Sequence, residues 1–533
     1  ENLRQSNGVS GFEDPSESPY DCYSAGHSST SISAAAGFAA KRARDHENYD
    51  IVAMIGDSSI MSGLSLEALN VHDSGFGKII IILNDNGMSI SKPVGGFSKM
   101  MRRISTGRGY NRFKEGFRRK AARSKFYKGL YNFSYSIKRF MKSLLIDPTI
   151  FDQMGFTYIG PIDGHNIRQM ERAFKRAKNA SKSVVIHVET IKGKGYSYAE
   201  HDTSGYWHGV TPFDLETGKP KNLHPGLISW SHLFSDLTIE VMKDKPEAEL
   251  VVPATLKGSG LEKVFMSYPN RTVDVGIAEE HALTLSGAMA INGIHPIVSI
   301  YSTFLQRAYD ELSHDCARLN ANMTVLVDRA GLVGLDGATH QGIYDVAFIK
   351  SIPNTVVAMP SNPQIARALY YQSFDNHGIF FIRFPREFLE ERQQIDYIEM
   401  PFGRWKYVTR SKNKSLAILC VGPEVWRLKE RLDKENIDVT LIDPIYLSQP
   451  SEKDILMISE YENILIYDQY GIEEGFADTV LSQLMKSGYS GKTHVHALKN
   501  MFYSHACIQE QLEMAGIAED NVYENIKRIL KIT

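Results

Sequence analysis

Short apolar runs alternate with segments of helical periodicity along the whole chain, and few architectures tolerate that pattern. The runs are IVAMI (51–55), KIIIILN (78–84) and SVVIHVE (183–189) in the first third. RTVDVG (271–276), IHPIVSIY (294–301), MTVLVD (323–328), NTVVAMP (354–360) and IFFIRFP (379–385) follow. SLAILCVG (415–422), DVTLIDP (438–444), NILIYD (463–468) and THVHAL (493–498) complete the set. Strands apolar on both faces and separated by helices predict α/β, doubly wound sheets of parallel strands. At 533 residues the chain is too long for one core. The polar stretch HGVTPFDLETGKPKNLHPG (208–226) reads as a linker, and three α/β domains are expected: 1–226, 227–404 and 405–533.

Composition narrows the class. The longest apolar runs fall well short of the ~18 residues of a membrane helix, and no signal-peptide pattern opens the sequence. Cys22, Cys316, Cys420 and Cys507 lie far apart, which disfavours a disulfide framework or a cysteine metal site and favours a reducing compartment. Net charge is −2, yet fifteen Lys or Arg and one acid, Glu115, fall between Lys99 and Lys142. This basic insert, about 97–143, is read as a loop near a polyanionic ligand; one such stretch in a balanced chain is weak evidence for nucleic acid, and neither nucleic acid nor membrane is expected as a partner.

Chemistry concentrates at strand ends. IVAMI runs into Gly56-Asp57-Ser58-Ser59, and IIIILN runs into Asp85-Asn86. Asp57 alone reads as a helix cap. Asp57 and Asn86 are 29 positions apart, however, which suits one helix plus one parallel strand and brings both to the carboxyl edge of a sheet, where α/β ligands bind. Asp, an Asn amide oxygen and a backbone carbonyl form half of an Mg²⁺ shell, with phosphate oxygens to complete it.

Read with SAGHSSTSIS (24–33), LNDNGMSIS (83–91), GPIDGHN (160–166), KGKGY (192–196), IAEEHA (277–282), IYSTFLQRAYDE (300–311), DRAGLVGLDGATHQG (328–342) and IRFPRE (382–387), this pair resembles the 1-deoxy-D-xylulose-5-phosphate synthase family over essentially the whole chain. The resemblance implies a transketolase-like fold: 1–226 binding diphosphate and Mg²⁺, 227–404 binding pyrimidine, and 405–533 as C-terminal domain. It implies thiamine diphosphate and Mg²⁺ as cofactors, with the metal on Asp57, Asn86 and the carbonyl of Met88. Gly26, His27, Ser28, Ser58 and Ser59 would hold the diphosphate, with Ile90 and Tyr196 beside the cofactor. Glu279 would face the aminopyrimidine and Phe304 would pack on it. Tyr301, Arg307, Asp336, His340 and, more weakly, His208 would handle the reacting groups. Arg329 and Arg386 would grip the acceptor's phosphate, since a guanidinium bonds two oxygens at once.

The implied reaction joins pyruvate and glyceraldehyde 3-phosphate to give 1-deoxy-D-xylulose 5-phosphate and CO₂, a precursor of isoprenoids, thiamine and pyridoxal. The enzyme is expected as a homodimer in the cytoplasm, or in a plastid-like organelle. Three departures qualify the resemblance. Ser58 replaces a family glycine. YDQY (467–470) stands where a glutamate-rich turn is expected. The family's N-terminal histidine-bearing segment is not present ahead of Glu1, so a separate chain could supply it. The alternatives are another transketolase-type enzyme or a partial homologue acting as an assembly subunit.

Overall fold

The apolar runs form the strands of three sheets. The computed structural model of the chain describes residues 2–71, 77–86, 150–202, 205–210, 212–221, 224–390 and 395–532. The basic insert, Met88 and Ile90 lie outside the described residues. Two compact units emerge: Ser28–Pro220, and Glu1–His27 together with Lys221–Thr533. Among the described residues no helix is long and apolar enough to cross a membrane.

In the unit Ser28–Pro220, β1 (Val52–Gly56), β2 (Ile80–Asp85), β3 (Thr157–Asp163) and β4 (Val184–Glu189) form a parallel sheet ordered β1-β2-β4-β3. The inner strands are buried on both faces, as Ile80, Ile81, Val184, Val185 and Ile186 show. Edge strand β1 alternates instead: Ala53 and Ile55 are buried, Val52 and Met54 exposed. Helix α1 (Ser31–Arg44) packs Ile32, Ala35 and Ala39 against Ile81 and Leu83 on one face. Helix α2 (Gly63–Asn70) adds Ala68 and Leu69 to the same cluster. Helix α3 (Ile167–Lys178) lays Ala173 and Ala177 against Ile80 and Ile186 on the other. Its first turn is capped by the Asn166 side chain, which accepts from the Gln169 N–H at 3.2 Å. Because all four strands run in parallel, their carboxyl ends share one edge.

The second unit opens with β5 (Leu227–Ser229) and α4 (Trp230–Asp244), whose first turn is capped by Ser229. Its larger sheet has six parallel strands: β6 (Ala248–Val252), β7 (Thr272–Asp274), β8 (His295–Tyr301), β9 (Met323–Ala330), β10 (Thr355–Ala358) and β11 (Ile379–Pro385), ordered β10-β11-β9-β8-β6-β7. Helix α5 (Glu279–Ile291) follows β7, and α6 (Pro363–Asp375) follows β10. A short strand, β12 (Phe388–Glu390), pairs antiparallel with β5. The remaining sheet is ordered β13-β15-β14-β16-β17, from β13 (Lys406–Thr409), β14 (Leu416–Cys420), β15 (Thr440–Asp443), β16 (Asn463–Ile472) and β17 (Lys492–Leu498). Only β13 runs antiparallel there.

Two packing features join parts of the chain on either side of 226 and 404. One apolar cluster holds Val325 and Phe381 of the six-stranded sheet together with Ile442 and Ile464 of the five-stranded sheet, so the two sheets form one compact unit. Residues 2–27 also pack with that unit. Phe12 stacks on His340 at 4.8 Å between ring centroids, and Arg4 is ion-paired with Asp336.

Candidate active site

In the unit Ser28–Pro220, Asp57 and Asn86 leave neighbouring strand tips. The β1–β2 register pairs Gly56 with Asn84, so the two residues stand one position out of step on strands about 5 Å apart. The Asp57 N–H donates to the Asn84 carbonyl at 3.1 Å. Burial, followed by the negative charge of Asp85, pushes the Asp57 carboxyl up to about 6. Asp85 is itself held: its Oδ2 lies 3.1 Å from His187 Nε2, and His187 Nδ1 lies 2.6 Å from the Tyr158 hydroxyl. The Thr190 hydroxyl donates to Asn84 Oδ1 at 2.8 Å.

A half-buried carboxylate whose proton affinity is raised by burial and by a neighbouring acid is stabilised by a divalent cation, and its oxygen chemistry fits Mg²⁺. Among the described residues no three His, Cys, Asp or Glu side chains form a metal cluster. The turn itself is braced, because the Ser59 carbonyl accepts from the hydroxyls of Ser29 (2.9 Å) and Ser65 (3.0 Å). Ser58 sits at φ −80°, ψ −38°, ordinary right-handed space, so a serine replaces the family glycine there without backbone strain. Lys192 Nζ stands 2.8 Å from His208 Nδ1. Burial lowers both pKa values, and the charges of Asp202 and Asp57 oppose the shift in Lys192. The Tyr196 hydroxyl donates to the Leu215 carbonyl at 2.9 Å, and its ring packs with Trp207 and Phe213.

In the second unit Glu279 is the first residue of α5, where the helix dipole favours an anion. It is 4% exposed, and its Oε2 lies 3.4 Å from Arg307 Nε and makes no hydrogen bond. Burial raises the carboxyl above its usual range, and Arg307 opposes that shift. A buried carboxylate oxygen short of a partner fits a ligand N–H or ring nitrogen.

Close by in sequence, Tyr301 ends β8 and Phe304 lies within the helical turn Ser302–Leu305; their rings stack at 5.4 Å. The edge of His27 meets Phe304 at 5.0 Å, and His340 meets Phe304 at 5.6 Å. His27 Nε2 lies 2.9 Å from the Thr303 hydroxyl and 3.0 Å from the Thr339 carbonyl. A Cβ on Gly26 would come within 2.1 Å of the Thr339 side chain, so glycine is required for this approach. Gly26 and His27 therefore belong to this aromatic wall. Burial lowers the pKa of both His27 and His340, leaving neutral imidazoles near pH 7. Tyr301 is buried, and its hydroxyl is pushed up to about 12.

Three cations surround one acid. Arg4 and Arg386 each bond Asp336, and Arg329 Nη1 lies 3.5 Å from the same carboxylate. Burial raises the Asp336 carboxyl, but Arg386, Arg329, His340 and Arg4 together carry it below the usual range. Arg329 also sits 4.0 Å over the Tyr301 ring and holds φ at +60°, a strained conformation for a non-glycine residue. Arg329 and Arg386 leave adjacent strands, since β9 pairs with β11 and Ala330 pairs with Pro385.

Several participants were not singled out from the sequence: Arg4, Phe12, Thr303, Thr339, Lys192 and His187. His187 had a signal, a lone imidazole inside the buried run VVIHVE. Arg4 and Phe12 had none, because their partners lie more than 300 residues away.

Parallel sheets whose carboxyl edges carry an acid–amide pair in one unit, with a buried helix-start glutamate and an arginine cluster in the other, have the architecture of a transketolase-like α/β enzyme. The family described as 1-deoxy-D-xylulose-5-phosphate synthase matches residues 1–190, and the transketolase pyrimidine binding domain matches residues 227–391. A 1-deoxy-D-xylulose-5-phosphate synthase of Carboxydothermus hydrogenoformans is 35% identical over 533 residues, 99% of this chain and 85% of that protein. One from Clostridium tetani is 35% identical over 539 residues, 99% of this chain and 86% of that protein. Among solved structures, a transketolase from Campylobacter jejuni is similar at 14% identity, covering 95% of this chain and 82% of that one with a TM-score of 0.48. The chain belongs to the 1-deoxy-D-xylulose-5-phosphate synthase family.

Proposed function

We infer that this chain is a transferase that condenses pyruvate with D-glyceraldehyde 3-phosphate, releasing CO₂ and forming 1-deoxy-D-xylulose 5-phosphate. The observation that carries this reading is similarity to synthases of that name over 99% of the chain. A non-catalytic assembly role is not favoured, because the similarity also spans 85% of the relative's length. Thiamine diphosphate is the cofactor of the family, and when bound it supplies the electron sink for decarboxylation.

In this reading Asp57 and Asn86 would hold Mg²⁺, with the Met88 carbonyl added by the family resemblance alone, and Ser28, Ser58 and Ser59 would hold the diphosphate; burial and the charge of Asp85, which raise the Asp57 carboxyl, support a cation there. Glu279 would present Oε2, which makes no hydrogen bond within the protein, to the pyrimidine ring, and burial favours its protonated form. Phe304, in contact with Tyr301, His27 and His340, forms the apolar wall that excludes water. The neutral imidazoles of His27 and His340 can accept or return a proton, and the Tyr301 hydroxyl, kept protonated by burial, can donate a hydrogen bond at neutral pH. Arg4, Arg329 and Arg386 against Asp336 leave a net charge of about +2, which matches a phosphate monoester.

The same proposal includes a division into diphosphate-binding, pyrimidine-binding and C-terminal domains, a homodimer, and a cytoplasmic location, the last supported by four unpaired cysteines. A separate chain carrying the family's N-terminal histidines is a further element of it. The test is incubation of the chain with both substrates, thiamine diphosphate and Mg²⁺. Formation of the five-carbon sugar phosphate with equimolar CO₂ is expected. Turnover of sugar phosphates without CO₂ release would favour another transketolase-type reaction.

A further inference from the structure

The segment Tyr467-Asp468-Gln469-Tyr470 belongs to β16 of the five-stranded sheet, outside the catalytic cluster, and yet Tyr470 touches the supports of that cluster. Its side chain is almost fully buried. One edge of the ring packs on Gly331, where a Cβ would come within 2.9 Å and φ is +90°, so only glycine leaves room. Gly331 lies two residues after Arg329. The Tyr470 hydroxyl donates to Glu387 Oε1 at 2.9 Å, and Arg427 Nη2 donates to Glu387 Oε2 at 3.1 Å. Glu387 directly follows Arg386. The Tyr470 carbonyl accepts from Arg383 Nη2 at 2.8 Å. Arg383 is wholly buried, bidentate to Asp345 at 2.9 Å, and reaches the Gly342 carbonyl at 3.3 Å, on the loop that carries His340.

One side chain of the five-stranded sheet thus packs on the backbone two residues after Arg329 and bonds the side chain of the residue after Arg386, both arginines of the candidate phosphate grip. Bidentate recognition of a phosphate requires a fixed separation between two guanidiniums, and small displacements of such groups are costly. We propose that Tyr470 is a positioning residue that sets Arg329 and Arg386 for phosphate monoesters, so that the C-terminal sheet tunes acceptor affinity without contacting the acceptor. This rests on the reading of Arg329 and Arg386 as the phosphate grip.

The test is calorimetric titration of glycerol 3-phosphate, a non-reacting phosphate monoester, into the full chain saturated with thiamine diphosphate and Mg²⁺. Tyr470→Phe, Glu387→Gln and Arg386→Ala are titrated alongside. Loss of one hydrogen bond predicts about tenfold weaker binding by Tyr470→Phe. Glu387→Gln keeps an acceptor for Tyr470 and loses the charge facing Arg427, so about threefold is expected. In steady state, KM for glyceraldehyde 3-phosphate should rise in parallel while KM for pyruvate stays within twofold. Unchanged glycerol 3-phosphate affinity in Tyr470→Phe and Glu387→Gln, beside a loss in Arg386→Ala, overturns the positioning role. Equal weakening toward both substrates overturns it too, because it assigns Tyr470 to general packing. Unchanged affinity in Arg386→Ala, or no binding by the unaltered chain, overturns the underlying reading of the arginines instead.

Discussion

Replacing Asp57 with asparagine should stabilise the metal-free protein and at the same time abolish its response to Mg²⁺. The Asp57 carboxyl is pushed from 3.8 to about 6 by burial and by Asp85. A shift of about two units at ~1.4 kcal/mol each sets an upper bound near 3 kcal/mol at pH 7.5; partial exposure screens this to about 1–2 kcal/mol. The sign is fixed by linkage. Below about pH 4 the carboxyl is protonated in both folded and unfolded chains, and there is no penalty. Between about 4 and 6 the folded state holds its proton longer, so stability falls as pH rises, and the full penalty stands above that window. The substituted amide never ionises, and its oxygen can still accept the backbone N–H bonds of the turn. For a unit the size of Ser28–Pro220, the unfolding midpoint should rise about 3–6 °C at pH 7.5. Differential scanning calorimetry of the chelator-treated protein at pH 4 and pH 7.5, with and without Mg²⁺ and thiamine diphosphate, measures it. The unaltered chain should gain stability on loading, and the variant should not. A variant no more stable at pH 7.5, or one whose advantage persists at pH 4, refutes the reasoning.

Other outcomes are equally specific. Ser58→Gly should leave thiamine diphosphate affinity within twofold, because φ is already negative; chain entropy should cost about 0.5–1 kcal/mol in urea unfolding. His187→Asn removes the buried imidazole that links Asp85 to Tyr158, and should cost about 1–3 kcal/mol in the same assay, with weaker Mg²⁺ binding. Since burial holds His27 and His340 below the ordinary imidazole range, the pH–rate profile should show no ascending limb near 6.5 assignable to either; His340→Asn should leave that region of the profile unchanged in shape.

Much of the architecture was legible because parallel strands buried on both faces demand long apolar runs. KIIIILN and SVVIHVE correspond to adjacent inner strands β2 and β4. The Asp57–Asn86 pairing was legible for the same reason, since one helix and one strand fix a register. The grouping of sheets was not. Packing of Phe381 with Ile464 depends on two surfaces meeting, and neither strand encodes its partner. The arginine cluster was half legible: Arg329 and Arg386 sit at strand ends, whereas Arg4 reaches Asp336 from the opposite end of the chain.

The most direct measurement is CO₂ release from pyruvate by the Mg²⁺- and thiamine diphosphate-loaded chain, with and without glyceraldehyde 3-phosphate, for the unaltered protein and Glu279→Gln. Acceptor-dependent release with formation of the sugar phosphate is expected, falling at least about 10²-fold in the variant with its folding transition intact. Equal release by the two proteins would contradict the role of Glu279, and no release by either would contradict the assignment of this chain as a synthase.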